Sequence, residues 1–126
     1  MKDWNEYCDE VRKIAYAKRD SFKGKPLMSK RLQIAPSGSY TIYNDRSQMH
    51  AETEPAVVLA SGIIEFRREG RLDNPHGPAV IYPDGTYKFV RWNSEITAEQ
   101  WMRHYALPAL ESQAVEVHVD YAIRNL

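Results

Sequence analysis

From Pro55 onward a short apolar run breaks at a turn ending in glycine, a second short run follows, and the whole pattern recurs. Pro78-Ala79-Val80-Ile81-Tyr82-Pro83-Asp84-Gly85-Thr86-Tyr87-Lys88-Phe89 repeats Pro55-Ala56-Val57-Val58-Leu59-Ala60-Ser61-Gly62-Ile63-Ile64-Glu65-Phe66 at an offset of 23 residues. Leu32-Gln33-Ile34-Ala35-Pro36-Ser37-Gly38-Ser39-Tyr40-Thr41-Ile42 is a weaker third copy, with its glycine 24 residues ahead of the next. Period two is the mark of a strand with one face buried. Pro83-Asp84-Gly85 suits a type I turn followed by a glycine at positive φ, a three-residue hairpin loop with a bulge, and Pro36-Ser37-Gly38 and Ala60-Ser61-Gly62 can do the same. That register places Ala79, Ile81, Tyr87 and Phe89 on one face, with Ala56, Val58, Ile64, Phe66, then Leu32, Ile34, Tyr40 and Ile42, as their equivalents. The other face holds Gln33, Ser39, Thr41, Glu65, Arg67 and Lys88, mixed with Val57, Leu59 and Tyr82. A two-residue loop would shift the pairing by one and blur this separation.

Both flanks change period. Trp4, Tyr7, Cys8, Val11, Ile14 and Ala15 recur at helical spacing, Asp3 can cap them with Glu6 three positions on, and Gly24 and Pro26 end any continuation. Thr97-x-x-Gln100 repeats the start signal ahead of Trp101 and Tyr105, with a stop at Pro108. Val115, Val117, Val119, Tyr121 and Ile123 alternate again and read as a last strand, although 109–125 also fits a helix. The sequence therefore predicts an α+β fold in a single domain over 1–126. Three consecutive β-hairpins form one twisted antiparallel sheet over 31–93. An N-terminal amphipathic helix within 1–24 and a cap over 97–126, a short helix plus a last strand, cover its open edges.

The repeat resembles the MORN-like repeats of bacterial and phage proteins. The resemblance is carried by His50-x-x-x-x-Pro55-Ala56-Val57 with Gly62 and Phe66, by Gly77-Pro78-Ala79-Val80 with Asp84-Gly85, and by the passage from Asn93-Ser94-Glu95-Ile96 into Thr97-Ala98-Glu99-Gln100-Trp101. Glu54, Asp73 and Ser94 depart from the usual unit, as in a degenerate array. The resemblance implies an elongated sheet of hairpins that serves as a binding surface, a phage or prophage origin, and no catalytic residue.

Composition narrows the rest. The 126 residues are 43% hydrophobic and 27% charged, which is globular, and no stretch reaches the ~18 apolar residues of a membrane span. The polar start at Met1 is not expected to be a secretory leader. Cys8 is the only cysteine, which excludes an internal disulfide, and on the apolar helix face it reads as a buried thiol. Charge balances overall but not locally. Residues 12–31 carry eight basic side chains (Arg12, Lys13, Lys18, Arg19, Lys23, Lys25, Lys30, Arg31) against Asp20 alone. Such a block attracts an acidic partner surface or nucleic acid, or is simply neutralised by acids elsewhere in the fold.

The expected binding residues are Lys18, Arg19, Lys23, Lys25, Lys30 and Arg31, joined by Arg67, Arg68, Arg91 and Tyr82 on the outer strands. Glu65, Glu69 and Asp73 interleave with that arginine strip, so a salt-bridged face is its plainer reading. Tyr40, Phe66, Tyr87 and Phe89 are expected in the core rather than as stacking platforms. His50 and Asp73 hold equivalent positions five residues before Pro55 and Pro78, so with His76 they could meet as a site. Capping of backbone groups at the repeat junctions is the structural alternative. His118 and Asp120 share a strand face but are expected to point to solvent. No metalloprotease helix motif, phosphate loop or nucleophile elbow occurs. The expectation is a non-enzymatic, cofactor-free and metal-free protein in the cytoplasm of a bacterial host. It binds a host protein, such as a defence or nucleic-acid enzyme, and inhibits it. The alternative is a nucleic-acid-binding module using the same basic segment. No membrane partner is expected, and an exposed edge strand leaves room for a homodimer.

Overall fold

The structure, a computed structural model, describes residues 3–106. The expected last strand, with His118 and Asp120, falls outside the described residues. Helix α1 (Trp4–Phe22) starts at Asp3, whose carboxylate accepts from the Asn5 and Glu6 N–H groups at 3.0 and 3.2 Å. It runs to Phe22, whose ring packs edge-on against Tyr40 with centroids 5.3 Å apart, and ends ahead of Gly24.

The strands are β1 (Leu27–Met28), β2 (Leu32–Ile34), β3 (Tyr40–Ile42), β4 (Val57–Val58), β5 (Ile64–Glu65), β6 (Arg67–Arg68), β7 (Arg71–Leu72), β8 (Val80–Ile81), β9 (Tyr87–Arg91) and β10 (Ser94–Ile96). Eight of them form one antiparallel sheet in the order β1-β2-β3-β4-β5-β8-β9-β10, and β6 and β7 pair separately between β5 and β8. The sheet thus starts before residue 31 and ends beyond residue 93. Ile34 pairs with Tyr40, Val58 with Ile64 and Ile81 with Tyr87, the register that the bulged turns dictate. Gly38, Gly62 and Gly85 take φ of +94°, +101° and +97°, which glycine reaches without a Cβ clash.

Helix α1 lies across the inner face. Cys8 and Ala15 pack with Ile34, Tyr40, Val58, Ile64, Phe66 and Ile81, and burial of each large aliphatic side chain contributes about 1.5–3 kcal/mol. At the turn ends of the strands the helix is pinned by polar contacts. Tyr16 Oη donates to the Gly62 carbonyl at 2.6 Å, Arg19 Nη1 to Leu59 at 3.1 Å and Arg12 Nε to Tyr82 at 3.2 Å. At its N-terminal end Trp4 meets Phe89 and Trp101 edge-on, with centroids 5.2 and 5.1 Å apart. Trp101 closes α2 (Ala98–Trp101), which opens with a reciprocal Thr97–Gln100 capping box and passes into a π-helical turn over Met102–Ala106.

The outer face departs from expectation. Val57, Val80 and Val90 are 5%, 6% and 4% exposed, so the sheet does not bury one face only. Val80 and Val90 pack with Ile63, Leu72 and Tyr82, because the inserted β6–β7 hairpin carries Leu72 into contact with them. Among the described residues no helix is long and apolar enough to cross a membrane.

Candidate binding surfaces

The basic segment is divided by the fold. Arg12 pairs with Asp9 at 2.7 Å, Lys18 with Glu54 at 2.7 Å, Arg19 with Asp20 at 3.2 Å, and Arg31 with Asp45. Lys18 and Arg19 also lie over the Tyr40 and Tyr16 rings. The sequence counted Lys18, Arg19 and Arg31 among the binding cations, but packing α1 on the sheet gives the first two intramolecular partners. Lys13, Lys23, Lys25 and Lys30 make no ion pair among the described residues, and the last three flank β1. β1 is the first strand of the sheet order, paired only with β2. On it Met28 is 82% and Leu27 42% exposed. Met28 also borders a shallow cleft of about 220 Å³ with Gln33, Ile34, Ala35, Ser39 and Thr41. An open edge strand with an apolar tip ringed by lysines can accept a strand from an acidic partner. The lysines also discourage indiscriminate edge pairing.

A second concavity lies between α1 and the loops before β4 and β8. It is a groove of about 440 Å³, floored by Tyr7, Val11, Ala15, Tyr40 and Phe66. Lys18, Glu54 and His76 stand on its rim, and Ile14 is 68% exposed there.

The chain matches no family model, no curated protein and no solved structure.

His50, Asp73 and His76 each have their own partners. His50 Nδ1 accepts from the Glu69 N–H at 2.9 Å, so Nε2 carries the proton and donates to Glu52 at 2.7 Å. The hydrogen bond from His50 holds Glu52 below the ordinary carboxylate value. Asp73 is buried. Its Oδ1 accepts from Tyr105 Oη, and among the described residues Oδ2 has only the Arg68 guanidinium, 3.6 Å away. Burial first, then the bond to Asp73, pushes the Tyr105 hydroxyl upward. His76 is exposed on the groove rim, its N–H capped by Asn74 Oδ1 at 2.9 Å. Among the described residues no three His, Cys, Asp or Glu side chains are placed to hold a metal.

Between Asp73 and His76 sits a residue the sequence reading passed over. Asn74 Nδ2 donates to Tyr7 Oη at 3.1 Å and to the Pro78 carbonyl at 2.8 Å, and the Asn74 backbone carbonyl accepts from Trp101 Nε1 at 2.9 Å. One buried residue thus joins α1 and the loop through its side chain and α2 through its backbone. Gly77 beside it has no room for a side chain, since a Cβ would fall 2.8 Å from the Trp4 ring. Side chains at this junction cap backbone and hold helices.

The outer arginines form the salt-bridged face. Arg67 pairs with Glu65 at 2.8 Å and donates to the Gly70 carbonyl at 2.9 Å, Arg68 faces Asp73, and Arg91 lies beside Tyr105. Tyr82 is half-buried under Lys88, 5.9 Å from its ring, and Tyr43 Oη donates to Gln33 at 3.3 Å. Cys8 is fully buried, and burial raises its thiol to about 11, which leaves almost no thiolate near neutrality. The open edge at Met28 was not separable from the basic run around it. The groove has no local signature, because five stretches of chain build it.

Proposed function

We propose that the chain is a non-enzymatic binding protein that engages an acidic partner protein along β1. The observation that carries the reading is the open edge at Leu27–Met28, apolar at its tip and flanked by Lys23, Lys25 and Lys30, none of them in an ion pair among the described residues. Edge pairing supplies main-chain hydrogen bonds, while the lysines steer and orient an acidic strand. The hairpins that turn at Gly38, Gly62 and Gly85 support a degenerate MORN-like array, a twisted sheet whose role is to present such an edge. On that resemblance the source is a phage or prophage, and the partner is a bacterial host protein met in the cytoplasm and inhibited on binding.

Affinity capture from a bacterial lysate, with and without nuclease, tests the reading against a variant with Lys23, Lys25, Lys30 and Arg31 reversed to Glu. One host protein should be recovered near stoichiometry, survive nuclease and disappear with the variant, while the melting temperature stays within a few degrees. Capture that ignores the charge reversal removes β1 from the argument. Capture lost to nuclease, with affinity falling steeply in salt, replaces the protein partner with nucleic acid.

A further inference from the structure

Trp92 and Asn93 form the two-residue turn between β9 and β10, with φ of +49° and +70°. Turns of this hand favour Asn-Gly or Asp-Gly. A bulky side chain at positive φ carries a steric penalty that glycine or asparagine avoids. The chain makes the same turn one repeat earlier with Glu69 and Gly70, at φ +52° and +82° between Arg68 and Arg71. The turn therefore has no need of an indole. The hydrogen bonds that dock the turn come from Asn93, which makes both bonds to Leu72, donating its N–H to the carbonyl at 3.1 Å and accepting from the N–H at 2.8 Å, and among the described residues the indole adds only its ring contact with Arg71. Trp101 is 6% exposed in the core, whereas Trp92 is 39% exposed. Strain kept at a solvent-facing aromatic is the kind that function retains.

The surroundings specify a ligand. The Arg71 guanidinium lies 5.4 Å from the Trp92 ring centroid and makes no ion pair among the described residues. Arg68 sits directly across the hairpin from Arg71, and Arg91 immediately precedes the turn. Asp73, the acid facing Arg68, is buried, and Glu69 stands at the neighbouring turn. An exposed indole with the Arg71 guanidinium beside it, and Arg68 across the hairpin, matches a planar base followed by a phosphate. A carboxylate-bearing peptide would use the arginines and have no need of the indole.

We propose that Trp92 and Arg71 form a stacking site for single-stranded nucleic acid, with a base on the indole and the adjoining phosphates on Arg71 and Arg68. The site lies at the β10 end of the sheet, opposite β1, so it does not rest on the protein-binding reading.

Fluorescence anisotropy of a labelled twelve-nucleotide oligothymidine, titrated with the full chain at several salt concentrations, tests it. Wild type should bind saturably. Trp92→Asn should weaken binding roughly 5- to 150-fold, the range for losing one stacked base. The same variant should melt at or above the wild-type temperature, because asparagine tolerates the turn. Arg71→Ala should weaken binding and reduce the salt slope by about one. The Lys23→Glu, Lys25→Glu, Lys30→Glu variant should bind like wild type. Absence of binding, an unchanged affinity for Trp92→Asn, loss of binding in the lysine variant, or equal competition by oligoglutamate would each overturn the assignment.

Discussion

Replacing Asn74 with alanine is the sharpest test of how the helices are held. The side chain is buried, and its loss removes two donated bonds and one accepted bond. The Pro78 carbonyl is left buried without that donor, a cost of about 1–3 kcal/mol. The His76 N–H is nearer the surface, so its lost cap costs about 0.5–1.5 kcal/mol. With the weakened tie to Tyr7, the total falls at about 2–5 kcal/mol. For a chain of this size that lowers the melting temperature by roughly 8–20 °C. Urea unfolding followed by tryptophan fluorescence reads it directly, since Trp4 and Trp101 flank the site. Asn74→Asp sharpens the test by keeping the shape and turning the donor into a carboxylate against the Pro78 carbonyl. It should cost at least as much as alanine near pH 7 and recover at low pH, where the protonated acid donates again. A loss below about 1 kcal/mol for Ala, or a wild-type midpoint for Asp, would refute the bridging role.

Gly38→Ala combines a positive φ with a Cβ placed 2.4 Å from the Arg19 carbonyl oxygen. It should destabilise by about 2–4 kcal/mol in urea, more than the same change at Gly85, where nothing crowds the Cβ. Cys8 should resist thiol reagents at pH 8 in the native state and react on unfolding, so native labelling as fast as labelling in urea would contradict its burial. Its native thiol is raised from about 9 to about 11, so its share of stability is constant below pH 9 and lost as pH rises toward 11. Urea midpoints across that range should fall for wild type and fall less for Cys8→Ala.

The register was legible because each turn glycine fixes which residues oppose one another, and a one-residue slip would have moved Ile81 and Val58 off the inner face. Asp3 and Thr97 marked both helix starts through cap chemistry that is local in sequence. The β6–β7 hairpin was missed because Arg67-Arg68-Glu69-Gly70-Arg71-Leu72 has no alternation, although Glu69-Gly70 was a usable turn signal. Trp92-Asn93 gave none, since a tryptophan argues against the turn it makes. The junction was read through its titratable residues, and the neutral Asn74 between them does the holding. Which lysines remain unpaired depended on where α1 lies, something no local pattern contains.

The seating of Trp4 on Phe89 and Trp101 has a consequence for synthesis. Helix α1 leaves the ribosome first, yet the surfaces that cover its N-terminal turn are among the last described parts to be made. Through most of translation its apolar stripe, with Cys8 and Ala15, waits for strands that do not yet exist. Until those strands are made the stripe is apolar surface of the kind that promotes aggregation. A chain cut before Thr97 would keep every strand of the main sheet and still leave Trp4 without its Trp101 cover.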